Sequence, residues 1–117
     1  MSRDVTLYLD DMVEASLRIA QYAQGLSRDD LKAGTMAYDA IVRNLEILGE
    51  ACKGVPAEVR ARDEEVAWRR IAGLRDVIAH AYFGIDRDIV WNVVSVEVPA
   101  LLPRLIALRS TLEPEGE

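Results

Sequence analysis

The chain has 117 residues, half of them hydrophobic, with one cysteine, one histidine and a formal net charge of −6. This length suits one domain with one core, and the lone cysteine excludes an internal disulfide. One cysteine and one histidine cannot build a zinc site, and the negative charge argues against a general polyanion binder, so any nucleic-acid site has to be a local basic cleft.

The N-terminus MSRDVTLYLDD is acidic, and no uncharged apolar run approaches the roughly 18 residues of a spanning helix. The expectation is therefore a soluble, cytoplasmic protein with no membrane partner. A single domain over residues 1–112 is expected, with a flexible tail at 113–117.

From about Asp4 to Gln24, Val5, Leu9, Met12, Val13, Ile19, Ala20 and Ala23 recur at helical spacing, and Gly25 is a natural C-terminal stop. Ser27 and Asp30 resemble a capping box for one or two turns before Gly34. Thr35 can cap a second long helix to about Lys53, with Ala37, Ala40, Ile41, Leu45, Leu48 and Cys52 on its apolar face. Gly49 inside it costs about 1 kcal/mol relative to alanine, which points to close approach of another helix.

Pro56 suits the start of a short helix to about Ala61, followed by a solvated junction at Arg62-Asp63-Glu64-Glu65. A third long helix is expected from about Val66 to Tyr82, with Trp68, Ile71 and Leu74 in the core. Gly84 breaks the chain and Asp86 can cap a last long helix, which Pro99 should kink or divide and in which Trp91 packs. The valines between Ile89 and Val98 would also suit a strand, but no partner strand is evident. The fold class is thus all-α: an antiparallel helical bundle of four long helices plus short connecting ones.

The third helix closes on Arg75-Asp76-Val77-Ile78-Ala79-His80-Ala81-Tyr82. At 100° per residue Arg75 and Tyr82 share a face, while His80 lies four residues after Asp76 on another. A carboxylate at Asp76 would favour the imidazolium of His80 and suit it to acid or base work near neutral pH. Arg75 has the planar, permanently charged fork that holds a phosphate and stabilises a pentacovalent phosphorus. Spacing alone favours the plainer reading, in which His80 caps a helix end and Arg75 pairs with a carboxylate.

On the second helix Asp39, Arg43, Glu46 and Glu50 form a charged row bordered by Asn44, which by itself suits a solvated face with weak ion pairs. A di-iron bundle is set aside because position 77, three residues before His80, is valine rather than glutamate.

Two blocks, Arg43-Asn44-Leu45-Glu46-Ile47-Leu48-Gly49-Glu50-Ala51 and Trp68 to Asp76 continuing through His80-Ala81-Tyr82-Phe83-Gly84-Ile85-Asp86, resemble HepT-type proteins of the HEPN superfamily. The likeness runs from Leu9-Asp10-Asp11 to Val90-Trp91. The family pattern, an arginine, four to six residues, a histidine, any residue and a tyrosine, falls on Arg75, His80 and Tyr82, with Asp76 where the family often has asparagine. That departure makes the site more acidic.

The resemblance implies a HEPN-like bundle that forms a homodimer with both motifs facing one cleft. It implies a metal-independent endoribonuclease toxin without cofactors, with Arg75 and His80 catalytic, Asp76 and Tyr82 supporting, and Arg43 and Asn44 lining the cleft. The implied partners are RNA and a cognate minimal nucleotidyltransferase antitoxin of the MntA type, which would attach adenosine monophosphate to Tyr82. The competing expectation is a non-catalytic dimeric module that binds a nucleotide or a partner protein.

Overall fold

A computed structural model of the chain describes residues 4–82 and 87–112. At His80, Ala81 and Tyr82 it describes the helical backbone but not the side chains. The described residues are helical throughout their regular structure, with no strand among them, so the fold is all-α.

Helix α1 spans Val5–Ala23 and starts on Asp4, whose carboxylate accepts the Thr6 backbone N–H at 2.9 Å. That bond satisfies one of the donors a helix start leaves open. Gly25 ends the element at φ +82, a conformation side chains with a Cβ resist. A single 3₁₀ turn, Arg28–Asp30, follows, with the Asp30 carboxylate accepting from the Ser27 backbone N–H at 2.8 Å.

Helix α2, Met36–Lys53, begins on the Thr35 hydroxyl, which accepts the Tyr38 N–H. Its buried stripe contains Ile41, Leu45, Leu48 and Cys52, as the periodicity indicates, and also Tyr38. Arg60, at the end of the short helix α3 (Ala57–Arg60), donates to the carbonyls of Cys52 and Val55, both at 2.9 Å, and closes the C-terminus of α2.

The expected third long helix is two helices. Helix α4 is Trp68–Ala72 and helix α5 is Leu74–Tyr82, divided at Gly73, where φ −90 and ψ 8 leave the α region. Gly49 explains why the break can be tight: a Cβ there would lie 3.1 Å from the Ile71 carbonyl oxygen, so α4 crosses α2 almost backbone to backbone.

The junction before α4 is tied down rather than merely solvated. Asp63 accepts Arg104 at 3.0 Å, Glu65 pairs with the same arginine at 3.1 Å, and Arg62 donates to Thr111. The cap expected at Asp86 and the break at Gly84 lie outside the described residues.

The last helix is continuous from Arg87 to Ser110 but changes character along its length: α6 (Arg87–Asn92), a π segment (Val93–Glu97) and α7 (Val98–Ser110). Pro99 lacks an N–H and its ring crowds the carbonyl four residues back, and the widened π turns immediately before it take up that conflict instead of a break. This helix of 24 residues, with a mean hydropathy of 1.5 over its most apolar window, is long and apolar enough to cross a membrane by length and composition alone, although Glu97 and Arg104 interrupt its uncharged run. In the fold Val90, Val94, Val98, Leu105 and Leu108 are buried, and Glu97 and Arg104 are ion-paired.

Helix α1 packs on both α2 and α7, and α2 in turn holds α4 and α5. Leu9, Met12, Ile19, Ile41, Leu45, Leu48 and Leu105 are all but inaccessible at the centre. Each such side chain contributes about 1.5–3 kcal/mol by leaving water. Trp68, Ile71 and Leu74 join this core, and Trp91 packs against it. The outcome is that the first turn of α5, with Arg75, is fixed beside α2.

Candidate functional site

A cleft of about 430 Å³ opens where α1, α2 and α5 meet. Tyr8 and Asp11 enter it from α1, Arg43, Glu46, Ile47, Glu50 and Ala51 from α2, and Arg75 from α5. Arg43 and Arg75, expected to act together from separate helices, therefore line one cleft.

Helical register explains the α2 contribution. Arg43, Glu46, Ile47 and Glu50 stand at offsets 0, 3, 4 and 7, which is one face, and the opposite face is the buried stripe of Ile41, Leu45 and Leu48. Arg75 reaches the cleft because Leu74 and Ile78, 2% and 6% exposed, anchor α5 in the core and leave the Arg75 and Asp76 positions in solvent.

The two arginines differ from their neighbours in what they bind. Arg70 donates to both Glu97 oxygens at 2.8 and 2.9 Å, Arg104 holds Asp63 and Glu65, Arg109 holds Asp10, Arg28 holds Asp88, and Arg18 pairs with Glu14. Arg43 and Arg75 make no ion pair or hydrogen bond through their guanidinium groups among the described residues. Glu46 has no such partner either, while Glu50 accepts Lys53 at 3.2 Å. The charged row on α2 is thus not a ladder of internal ion pairs, and Arg75 is not consumed by a carboxylate.

Tyr8 is half-buried and lies directly over Gly54, where a Cβ would come within 2.3 Å of its ring. That glycine, at the C-terminal end of α2, lets the ring lie against backbone at the edge of the cleft. Asn44, expected beside Arg43, is instead 6% exposed and donates to the Ala40 carbonyl at 2.9 Å, so it belongs to the core and not to the cleft.

Asp76 lies in the first turn of α5, where a negative charge suits the helix dipole. The backbone places His80 five and Tyr82 seven positions after Arg75 on the same helix, but their side chains, and so the expected contact between Asp76 and His80, lie outside the described residues. No cluster of three or more histidine, cysteine or acidic side chains with metal-binding geometry occurs among the described residues.

A second, more apolar cavity of about 200 Å³ lies between α2, α4 and the last helix, lined by Leu48, Val66, Ile71, Leu74, Val98 and Leu101 among others. Its charged rim, Arg70, Glu97, Glu65 and Arg104, is already paired within itself. Of the two cavities, it is the cleft that brings unpaired charged groups together, Arg43, Glu46 and Arg75, and that is the candidate site.

Sequence reasoning did not find Tyr8 or Asp11. Their i, i+3 spacing on the solvent side of α1 was the available signal, and only tertiary packing joins them to Arg75.

Comparison with known proteins converges on one family. The family described as Ribonuclease HepT-like matches residues 12–108. The chain is 34% identical over 109 residues to the "Probable ribonuclease HepT" of Thermococcus cleftensis, covering 93% of this chain and 99% of that protein. It is 36% identical over 94 residues to a "Putative RNase" of Caldanaerobacter subterraneus, covering 80% and 84%. Against a "Gamma-glutamylcyclotransferase and putative RNase" of Methanocaldococcus jannaschii it is 32% identical over 113 residues, 97% of this chain but only 51% of that relative, whose length it spans by about half. No solved structure matches the chain at comparable significance.

Proposed function

Because the chain belongs to the Ribonuclease HepT-like family, we propose that it is an endoribonuclease that cleaves RNA without a metal, by transesterification at the cleft of Arg43 and Arg75. The observation that carries the reading is the pair of uncommitted guanidinium groups in one open cleft, at the start of the helix that also bears His80. Such groups bind phosphate oxygens through paired hydrogen bonds and remain charged at any working pH.

In this mechanism the ribose 2′-oxygen attacks the adjacent phosphorus and the bond from phosphorus to the 5′-oxygen breaks. The products are a 2′,3′-cyclic phosphate and a free 5′-hydroxyl. One imidazole accepts the 2′-OH proton and another donates a proton to the leaving oxygen. Arg75 stabilises the charge that accumulates on the phosphoryl oxygens. The chain has a single histidine, so two imidazoles require two chains, and a homodimer with His80 from each protomer supplies them.

Tyr82, in register with Arg75 on α5, orients the phosphate or accepts adenosine monophosphate from a nucleotidyltransferase antitoxin, whose added charge would oppose RNA. On this reading the chain is the toxin of a HepT/MntA-type pair acting in the cytoplasm. The support is the motif and the family, together with the open position of Arg75.

A second reading, a non-catalytic module binding a nucleotide or a protein partner, is favoured by Asp11, Glu46 and Glu50, which line the cleft together with the two arginines among the described residues. One experiment separates the two: cleavage of mixed RNA in EDTA by the wild type, Arg75→Ala and His80→Ala, with fragment ends analysed for cyclic phosphate. Motif-dependent cleavage establishes the ribonuclease. Intact RNA with a folded wild-type dimer free of Tyr82 modification establishes the module.

A further inference from the structure

Among the described residues the cleft is lined by more negative than positive charge, with Asp11, Glu46 and Glu50 beside Arg43 and Arg75. Carboxylates repel phosphate, so a surface that served only the RNA backbone would be weakened by them. They have another use. A carboxylate is an acceptor with two parallel oxygens, matched by a donor pair on the edge of a nucleobase.

Beside these acids stands Tyr8, an aromatic ring laid against the Gly54 backbone, where a Cβ would meet three ring atoms at 2.3, 2.4 and 2.6 Å. Unstacked bases of single-stranded RNA are held on such rings and read along their Watson–Crick edges. Glu46 is half-exposed and unpaired among the described residues, so its oxygens need not give up a protein partner to accept from a base.

We infer that this cleft is a guanine-reading site: Tyr8 stacks the base next to the phosphate held by Arg43 and Arg75, and the Glu46 carboxylate accepts from its N1–H and N2–H. The choice among bases follows from their edges. Guanine alone presents two adjacent donors on its Watson–Crick edge. Adenine and cytosine set a ring nitrogen acceptor beside their amino group, and uracil flanks its one N–H with two carbonyls, so each of these places a lone pair against a carboxylate oxygen. The inference rests on the ribonuclease reading for its RNA substrate, but base recognition is measurable without cleavage.

The experiment uses the full chain and short oligoribonucleotides blocked against transesterification by 2′-O-methyl groups, identical except for one central base. Binding is expected to be tighter for guanine than for adenine, cytosine or uracil by roughly tenfold or more, with inosine, which lacks the N2 amine, in between. Glu46→Gln, in which one acceptor becomes a donor, should collapse the ratio between guanine and the other bases. Tyr8→Leu should weaken all four by about fivefold or more, and Tyr8→Phe should retain stacking.

Equal affinity for the four bases, or an unchanged guanine ratio in Glu46→Gln with an unchanged thermal transition, overturns the inference. Cleavage of unblocked RNA by the wild type is scored in parallel. Cleavage with no preference at guanine removes the inference and leaves the ribonuclease intact. Guanine-selective binding with no cleavage removes the ribonuclease and leaves the site.

Discussion

Gly49 and the carbonyl of Ile71 are in contact closer than most side chains tolerate: a Cβ at position 49 would lie 3.1 Å from that oxygen and 3.7 Å from Leu74 Cβ. Two effects of Gly49→Ala therefore oppose each other. The helix gains about 1 kcal/mol from propensity, and overpacking against α4 costs about 1–3 kcal/mol. The opposing atom is backbone, on a helix held by the buried Trp68 and Ile71, so the second effect should win. Denaturant unfolding should show a net loss of up to about 2 kcal/mol, and a raised midpoint would mean that α4 is free to move.

The same contact sets the start of α5, and on the proposed ribonuclease reading Arg75, in its first turn, is the position to test for activity. Arg75→Ala should lower kcat by about 10²- to 10³-fold, the size of effect seen when one donor to a developing oxyanion is removed, and Arg75→Lys should restore little because the paired fork is lost. Arg43→Ala should act mainly on binding. Its signature is a log Kd against log salt slope reduced by about 0.7 for single-stranded RNA, with kcat far less affected than by Arg75→Ala.

The periodic parts of the fold were legible from the sequence and the interruptions were not. Val5 to Ala23 and Met36 to Lys53 carry clean helical stripes between Asp4, Gly25, Thr35 and Gly54, and both helices form there. Gly73 sits within an unbroken run from Trp68 to Ile78, and a glycine is tolerated in a helix unless tertiary contact demands a break, so one helix was expected where two occur. The π segment before Pro99 is equally silent, because its buried valines also fit an α-helix. For the site, Arg43 and Arg75 were visible through their motifs, whereas Asn44 was assigned by adjacency in sequence and turned out to be in the core. Tyr8 and Asp11 join the cleft only through the packing of α1 on α2, which no local pattern encodes.

Cys52 offers a probe of that packing. It is fully buried, its thiol lies 3.4 Å from the Trp68 carbonyl, and burial pushes its pKa upward. Reaction with iodoacetamide should be slower than in denaturant by about a thousandfold or more, because only opened molecules present a thiolate. A raised folded pKa contributes stability that is fully present below the unfolded value of about 8.5 and is lost as pH rises beyond it. Cys52→Ala should accordingly lose less stability than the wild type between pH 8 and 10, and parallel losses would rule out the thiol as the cause.

Acid should act at the helix starts. The Asp4 carboxylate is held below the usual carboxylate range chiefly by the Thr6 backbone N–H, and Asp30 by the Ser27 backbone N–H. A lowered folded pKa contributes stability that is present above the unfolded value, about 3.9, and is lost as pH falls through the folded one. Asparagine at either position keeps an acceptor for the same N–H but does not titrate. Asp4→Asn and Asp30→Asn together should therefore be somewhat less stable than the wild type at pH 6 and lose less on going from pH 5 to pH 2. Thermal unfolding across that range reads the difference directly. If the two profiles stay parallel down to pH 2, these caps contribute nothing to acid sensitivity.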